Sequence, residues 1–231
     1  MARQVSAELR HERKFLTIRL SAQQIVLFLT LNHYGFRESF PARFVNSIYF
    51  DSHDLRFAKD NIEGLAERTK IRIRWYGENQ NRMQQPVLEF KHKRGLAGYK
   101  VRHSMVDFGV GGEGLGEVLP VAIKDSNLPV GVAEIIHTVN PTLICRYRRR
   151  YFETVGLAVR ATVDEKLYYR PVGRSSEMLD RGINDFFSVI LELKYDPDLE
   201  DLVKEITNEI PIRLSKSSKY LMGLGRLRGA Y

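Results

Sequence analysis

Residues 69–77, TKIRIRWYG, alternate strictly between two kinds of side chain. Lys70, Arg72 and Arg74 occupy every second position, and Ile71, Ile73 and Trp75 stand between them. Successive side chains of a strand point to opposite faces, so one face is a row of cations and the other is apolar. The design recurs. In VLEFKHKRG, Glu89, Lys91 and Lys93 oppose Leu88, Phe90 and His92. YKVRHS repeats it with Lys100 and Arg102, VRATVDEKL with Arg160, Thr162 and Asp164, and VILELKY with Glu192 and Lys194. Near the start, Arg10, Glu12 and Lys14 alternate with His11, Arg13 and Phe15.

The pattern predicts strands over 8–20, 44–52, 65–77, 86–94, 98–107, 142–154, 157–168 and 186–195. Short turns between several of them imply antiparallel pairing. Ser21 caps a predicted helix over 22–34 that Gly35 ends, with Ile25, Phe28, Leu29 and Leu31 as its apolar face. Residues 53–64 read as a short helix and a turn, 109–140 as a loop followed by helices, and 170–185 as polar and irregular. Asp196 and Pro197 start a helix over 196–210. A last helical segment covers 215–225. No repeat and no linker divides the chain, so 1–231 reads as a single α+β domain of about eight strands.

The 231 residues carry a net charge of +8, and the pI of 9.6 predicts attraction to polyanions. Cys145 is the only cysteine, which excludes an internal disulfide and a cysteine zinc site. The longest apolar run, IVLFLTL, is too short to span a bilayer. The N-terminal residues lack the apolar core of a signal peptide, so the expectation is a soluble cytoplasmic protein.

Two architectures accommodate the repeated charged face. One is an open sheet with its cations in water. The other is a closed barrel with the cations inside and helices outside. Repetition over at least five strands, biased to Arg and Lys, favours the barrel. A cationic interior repels itself unless a polyanion fills it. Glu12, Glu89 and Glu192 relieve part of that repulsion and could hold a divalent metal.

RHERKF, KIRIRWYG, LEFKHK, CRYRRRYF, VRATVDEKL, LELKY and LSKSSKYLMG follow one another in an order that resembles the VTC (vacuolar transporter chaperone) catalytic domain, a branch of the triphosphate tunnel metalloenzymes. The resemblance runs from about residue 8 to residue 225. It implies an eight-stranded antiparallel barrel with basic inner walls, peripheral helices, and synthesis of inorganic polyphosphate from ATP. It places Lys14, Arg72, Arg74, Lys91, Lys93, Lys100, Arg149 and Arg160 in the catalytic wall. It adds Arg10, Arg102, Tyr147, Lys194, Lys216 and Lys219 as substrate contacts, the last two three residues apart on one helical face. Glu192, with Glu12 and Glu89, is implied to hold Mn2+ or Mg2+. Family members act in membrane complexes, so a membrane-protein partner, and membrane association through it, belong to the same expectation.

Phosphoryl transfer asks for alignment and positive charge rather than covalent chemistry. A chain-terminal phosphate oxygen is already anionic and needs no general base. Hydrolases of the fold open with an acidic ExExK pattern, and here Arg10 replaces the first carboxylate. That favours a polymerase over a metal-dependent triphosphatase, which stays as the alternative. A non-catalytic polyphosphate-binding module is a further reading. Nucleic-acid binding is disfavoured, because the residues opposite the cations are packing aliphatics rather than stacking aromatics. GVGGEG, 109–114, lacks the parallel βαβ context of a dinucleotide site and reads as a loop. His92 and His103 read as outer-wall residues. Arg146, Arg148 and Arg150 charge the outer face of their strand with no evident purpose.

Overall fold

The computed structural model describes residues 4–7, 10–94, 97–110, 114–156, 159–172 and 182–229. Among these, twelve strands and six α-helices are formed. The strands are β1 (Gln4–Ala7), β2 (His11–Thr17), β3 (Phe36–Asp51), β4 (Glu67–Tyr76), β5 (Arg82–Met83), β6 (Val87–Arg94), β7 (Ala97–Ser104), β8 (Phe108–Gly109), β9 (Asn140–Thr154), β10 (Arg160–Pro171), β11 (Ile183–Asp185) and β12 (Val189–Tyr195). The helices are α1 (Ala22–Leu31), α2 (Arg56–Glu63), α3 (Leu115–Asp125), α4 (Val130–His137), α5 (Glu200–Asn208) and α6 (Lys219–Leu227).

The main sheet runs β1-β7-β6-β4-β3-β9-β10-β12-β2, with β11 attached to β10, and each of its pairs is antiparallel. The eight long strands from β7 to β2 are those predicted. The expected closed barrel is not formed: no backbone ladder joins β2 to β7 or β1 among the described residues. The sheet curls instead, until side chains from distant strands meet. Lys91 on β6 stands 3.7 Å from Glu12 on β2. Residues 214–218 link β2 to β4 across the curl. Leu214 bridges Phe15, and the Ser215 N–H donates to Lys14 O at 2.7 Å. Lys70 of β4 donates to the Ser218 hydroxyl at 3.2 Å.

The apolar faces of the strands point outward, under helices. Phe15, Phe152, Ala161, Val163, Leu191 and Leu193 pack with Ile25 and Leu29 of α1 and Val203 and Ile206 of α5. Ile48, Ile71, Ile73, Trp75, Leu88 and Phe90 pack with Leu115, Leu119 and Ile123 of α3 and Ile136 of α4. Burial of such side chains, worth about 1.5–3 kcal/mol each, fixes the register. A one-residue slip would bury the cations beneath the helices. Part of the outer face between these two clusters carries Arg146, Arg148 and Arg150. Arg148 pairs with Glu165 at 3.1 Å, Arg150 with Glu38 at 3.3 Å, and Arg146 lies over the Phe44 ring at 3.8 Å.

Local signals explain the helix ends. Ser21 and Gln24 form a reciprocal capping box for α1. Pro197 opens a single 3-10 turn, Pro197–Leu199, ahead of α5. Against expectation, β3 starts at Phe36 rather than 44. Its first half is polar and contains Pro41, but pairing to β9 through two register shifts holds it in the sheet. The expected helix over 215–225 also differs, beginning only at Lys219. GVGGEG falls partly outside the described residues.

Candidate functional site

The concave face of the curled sheet collects the charged positions. On β4 and β6, Lys70 stands opposite Lys91 and Arg72 opposite Glu89. On β7, Lys100 stands opposite Lys91 and Arg102 opposite Glu89. On the other wall, Asp164 pairs with Arg149, Thr162 with Glu192, Arg160 with Lys194, Glu192 with Lys14 and Lys194 with Glu12. Strand register alone therefore converts a linear alternation into a patterned inner surface.

Three carboxylate nodes organise it. Glu89 is buried and takes Arg72 at 2.7 Å, Lys100 at 2.7 Å, Arg102 at 3.5 Å and Arg74 at 3.8 Å. Burial raises its pKa, but Arg72, Arg74 and Lys100 outweigh that and hold the carboxyl far below its usual range. Lys100 pays for the same burial with a pKa lowered to about 8, Glu89 opposing the fall. The second node is the pair Glu12 and Glu192, which share Lys14 and Lys194. Burial pushes Glu192 up, yet Lys14, Lys194, Arg149 and Lys219 bring it well below an ordinary carboxylate. The third is Asp164, fully buried. It accepts from Arg149 Nε and Nη2 at 2.6 and 2.7 Å and lies 2.6 Å from Lys219 Nζ.

Asp164 anchors α6 inside the curl. Lys219, the first residue of α6, also sits 4.5 Å from the Tyr147 ring. Next to it, Tyr220 stacks on Tyr49 at 5.2 Å and donates to Asp51 at 2.6 Å. Asp51 in turn accepts from the Phe57 and Ala58 N–H groups. Gly223 allows the close approach: a Cβ there would lie 2.6 Å from Leu143 and from Tyr169. One end of the concavity is thus closed by α6 over an apolar floor of Leu143, Cys145, Tyr147, Leu167 and Ile190. The other end opens at a small cavity lined by Arg149, Tyr151, Arg160, Thr162, Glu192 and Lys194.

The structure brings most of the sequence-derived residues together: Lys14, Arg72, Arg74, Lys91, Lys100, Arg102, Tyr147, Arg149, Arg160, Lys194 and Lys219 all belong to this surface. Others differ. Lys93 lies on the same strand face and is exposed, as Lys91 and Arg160 are, but it makes no ion pair among the described residues; partial desolvation, then Arg68 and Lys91, lower its pKa. Arg10 precedes β2, is exposed, and pairs with Asp196 at 3.5 Å. Lys216 precedes α6 and is exposed, so it does not share a helical face with Lys219. Two residues escaped the sequence reading as site members. Asp164 is visible on the charged face of its strand, but the alternation assigns it no partner. Lys70 belongs to the opening alternation, and the structure sets it among Lys14, Lys91, Arg68 and Arg72. Burial first, then those cations, lower its pKa to about 7.

The donor set bears on metal binding. Among the described residues no cluster of three His, Cys, Asp or Glu side chains is formed. Glu89 stands apart, enclosed by four cations, so the expected three-carboxylate site is not assembled. Glu12 and Glu192 do converge, and two carboxylates suit a hard divalent ion that takes its remaining ligands from phosphate oxygens and water. Among the described residues, buried Arg74 Nε and Thr162 Oγ1 have no hydrogen-bond partner. Arg74 is thus one donor on the concave face available to a ligand oxygen.

A family model described as the VTC domain matches residues 9–228. By sequence, no curated protein matches the chain. In fold, the structure is similar to a candidate adenylate cyclase of Bacillus halodurans, with TM-score 0.53, 13% identity, and 92% of this chain and 95% of that one covered. It is similar to a candidate adenylyl cyclase of Hippeastrum with a dominant triphosphatase activity, at TM-score 0.50, 15% identity and 95% and 96% coverage. A Pyrococcus horikoshii protein gives TM-score 0.50, 14% identity and 96% and 99% coverage.

Proposed function

The chain belongs to the VTC domain family, and we propose that it transfers the γ-phosphoryl group of ATP to a growing inorganic polyphosphate chain within the basic concavity. The observation that carries this reading is the convergence of cations from β2, β4, β6, β7, β9, β10, β12 and α6 on one side of the sheet. Such an arrangement suits a ligand with repeated negative charge along its length, as polyphosphate has. Arg72, Arg74, Lys100 and Arg102 would neutralise one stretch of the chain, sharing their charge with Glu89. Arg149, Lys14, Lys194 and Lys219 would face the next.

Arginine forks match phosphate oxygens two at a time, and lysines act as point charges. Together they would align donor and acceptor and spread the equatorial charge that develops during transfer. Lys91 and Lys70 lie between the two groups. Arg160 and Lys194 at the open end suit the entry of a nucleotide triphosphate. Glu12 and Glu192 are the residues that would hold Mn2+ or Mg2+, which when bound supplies charge neutralisation between phosphate oxygens. The attacking terminal phosphate oxygen is already deprotonated, so this chemistry requires no side chain to remove a proton.

The second reading is a triphosphatase, favoured by the activity of the similar Hippeastrum protein. Two features support the polymerase over it. Arg10 stands where the hydrolase pattern has a carboxylate, and each of Glu12, Glu89, Asp164 and Glu192 is engaged by at least two cations. None is therefore left to activate a water without first losing an ion pair. Incubation with ATP and Mn2+, with products resolved on a polyacrylamide gel, separates them. A ladder of polyphosphate is expected. Orthophosphate alone would replace the proposal with the hydrolase, and binding without turnover would replace it with a polyphosphate-binding module.

A further inference from the structure

The β11–β12 connection exposes Phe186 and Phe187, the two most exposed aromatic side chains of the described residues, at 70% and 75%. They are held there. Asp185 is buried and accepts the Ser188 N–H at 3.0 Å, while Arg226 of α6 lies 3.3 Å from its other oxygen. β11 and β12 both pair antiparallel with β10 and so run the same way, and the two phenylalanines lie in a bulge between the pairs Leu167–Asp185 and Asp164–Ile190. The extra residues of a bulge are left out of the ladder, and here both rings stand in solvent as an exposed tip.

The tip's neighbours follow from the ladders. Leu167 pairs with Asp185, which puts Lys166 beside Phe186; Lys166 is exposed, at a bulge with φ 51°. Val189 pairs with Thr17, which puts Ile18 and Arg19 beside the bulge's other side, both exposed. Ile18 is 64% exposed. Lys166 and Arg19 have no ion pair among the described residues. Among the described residues, the carboxylates flanking the bulge are neutralised: Asp164 by Arg149 and Lys219, Asp185 by Arg226, and Glu165 by Arg148.

We propose that this tip is a docking point for an anionic lipid surface, with Phe186, Phe187 and Ile18 entering the headgroup boundary and Lys166 and Arg19 on the phosphates. The charge is complementary, with unpaired cations flanking an apolar wedge. The tip also lies at the α6 end of the sheet. β12 runs from there to Lys194 at the mouth, about 20 Å for a strand of this length. Docking would therefore leave the mouth open to solution. This inference stands whether or not the concavity makes polyphosphate.

The whole chain is basic, so the test must separate the tip from general charge. The full chain is sedimented with phosphatidylcholine vesicles, alone and with added phosphatidylserine. Binding to the phosphatidylserine vesicles is expected, with a loss of roughly tenfold or more in the F186S/F187S double variant, which keeps every charge. The F187W variant reports from the tip itself, and its added emission shifts to the blue with those vesicles. Equal sedimentation of the double variant and the parent would overturn the proposal. So would F187W emission that ignores vesicles. Self-association in the ultracentrifuge that F186S/F187S abolishes, without vesicle binding, would assign the tip to a second copy of the chain.

Discussion

Lys91 on β6 lies 3.7 Å from Glu12 on β2, although β4, β3, β9, β10 and β12 separate those strands along the sheet. The contact closes in side chains what backbone hydrogen bonds leave open. It also sets a carboxylate to compete with any anion for Lys14, Lys91 and Lys194. Removing that competitor in E12Q should strengthen tripolyphosphate binding without metal, by roughly threefold to tenfold for one ion-pair network member. Turnover with Mn2+ should fall in the same variant, because half of the proposed metal site is gone. Calorimetry and the gel assay measure the two effects; metal-free affinity that drops in E12Q would contradict this assignment.

Glu89 balances four cations, so E89Q leaves them to repel one another in a buried setting. A loss of about 3–5 kcal/mol in unfolding free energy is expected. Tripolyphosphate should restore part of it, giving E89Q a larger ligand-induced rise in Tm than the parent. An equal rise in both proteins would place the anion elsewhere.

Lys70, with a pKa of about 7, binds a proton more weakly in the folded protein than its usual 10.5 allows. Between these values the unfolded chain holds more protons, so this group's share of stability grows as pH rises from about 7 to 10.5 and is lost as pH falls through 7. A bound polyanion reverses the desolvated lysine's preference. Binding at pH 8 should therefore take up close to one proton, and affinity should decline as pH rises. Titration in buffers of different ionisation enthalpy measures the uptake. The share due to Lys70 should vanish in K70M, leaving the smaller uptake of Lys100, whose pKa is lowered to about 8; if K70M retains the uptake in full, another group is responsible. The charged groups facing Lys70 are Lys14, Lys91, Arg68 and Arg72, and its hydrogen-bond partner is Ser218.

Gly223 is where α6 meets the sheet. G223A would force its Cβ to 2.6 Å from Leu143 Cδ2 and Tyr169 Cδ1. The expected cost is about 1–3 kcal/mol of stability, with α6 displaced and Lys219 drawn from Asp164. Chemical denaturation and turnover should both report it. Normal turnover at unchanged stability would show that α6 tolerates the shift.

Glu200 holds α5 to the outside of β2, taking Arg13 at 2.5 Å, Tyr195 at 2.8 Å and His11 at 3.0 Å. Hydrogen bonds from His11, Arg13 and Tyr195 lower its pKa to about 2. Its contribution is present above the usual 4.5 and is lost as pH falls toward 2. The group is partly exposed, so the effect is small, within about 1 kcal/mol. E200Q should flatten the acid limb of the stability curve between those values and leave polyphosphate binding unchanged.

The alternation of charged and apolar residues determined, unaided, the eight long strands, their antiparallel pairing and which face each presents. These are local consequences of a period of two and of turn chemistry, and the chain carries both in a few adjacent residues. Residues such as Ser21 and Pro197 marked helix starts for the same reason. The first half of β3 was invisible because its polar residues are held by β9, a partner a hundred residues away. Closure was equally out of reach, since a ladder and a side-chain contact such as Lys91–Glu12 ask for the same alternation. Only the tertiary structure sorted the charges into nodes. Glu89 joined four cations rather than Glu12 and Glu192, Asp164 became the anchor of α6, and Lys216 fell outside the helix that Lys219 begins. Which carboxylate neutralises which cation is a matter of register and curl across distant strands, and electrostatic energy depends on those distances rather than on order along the chain.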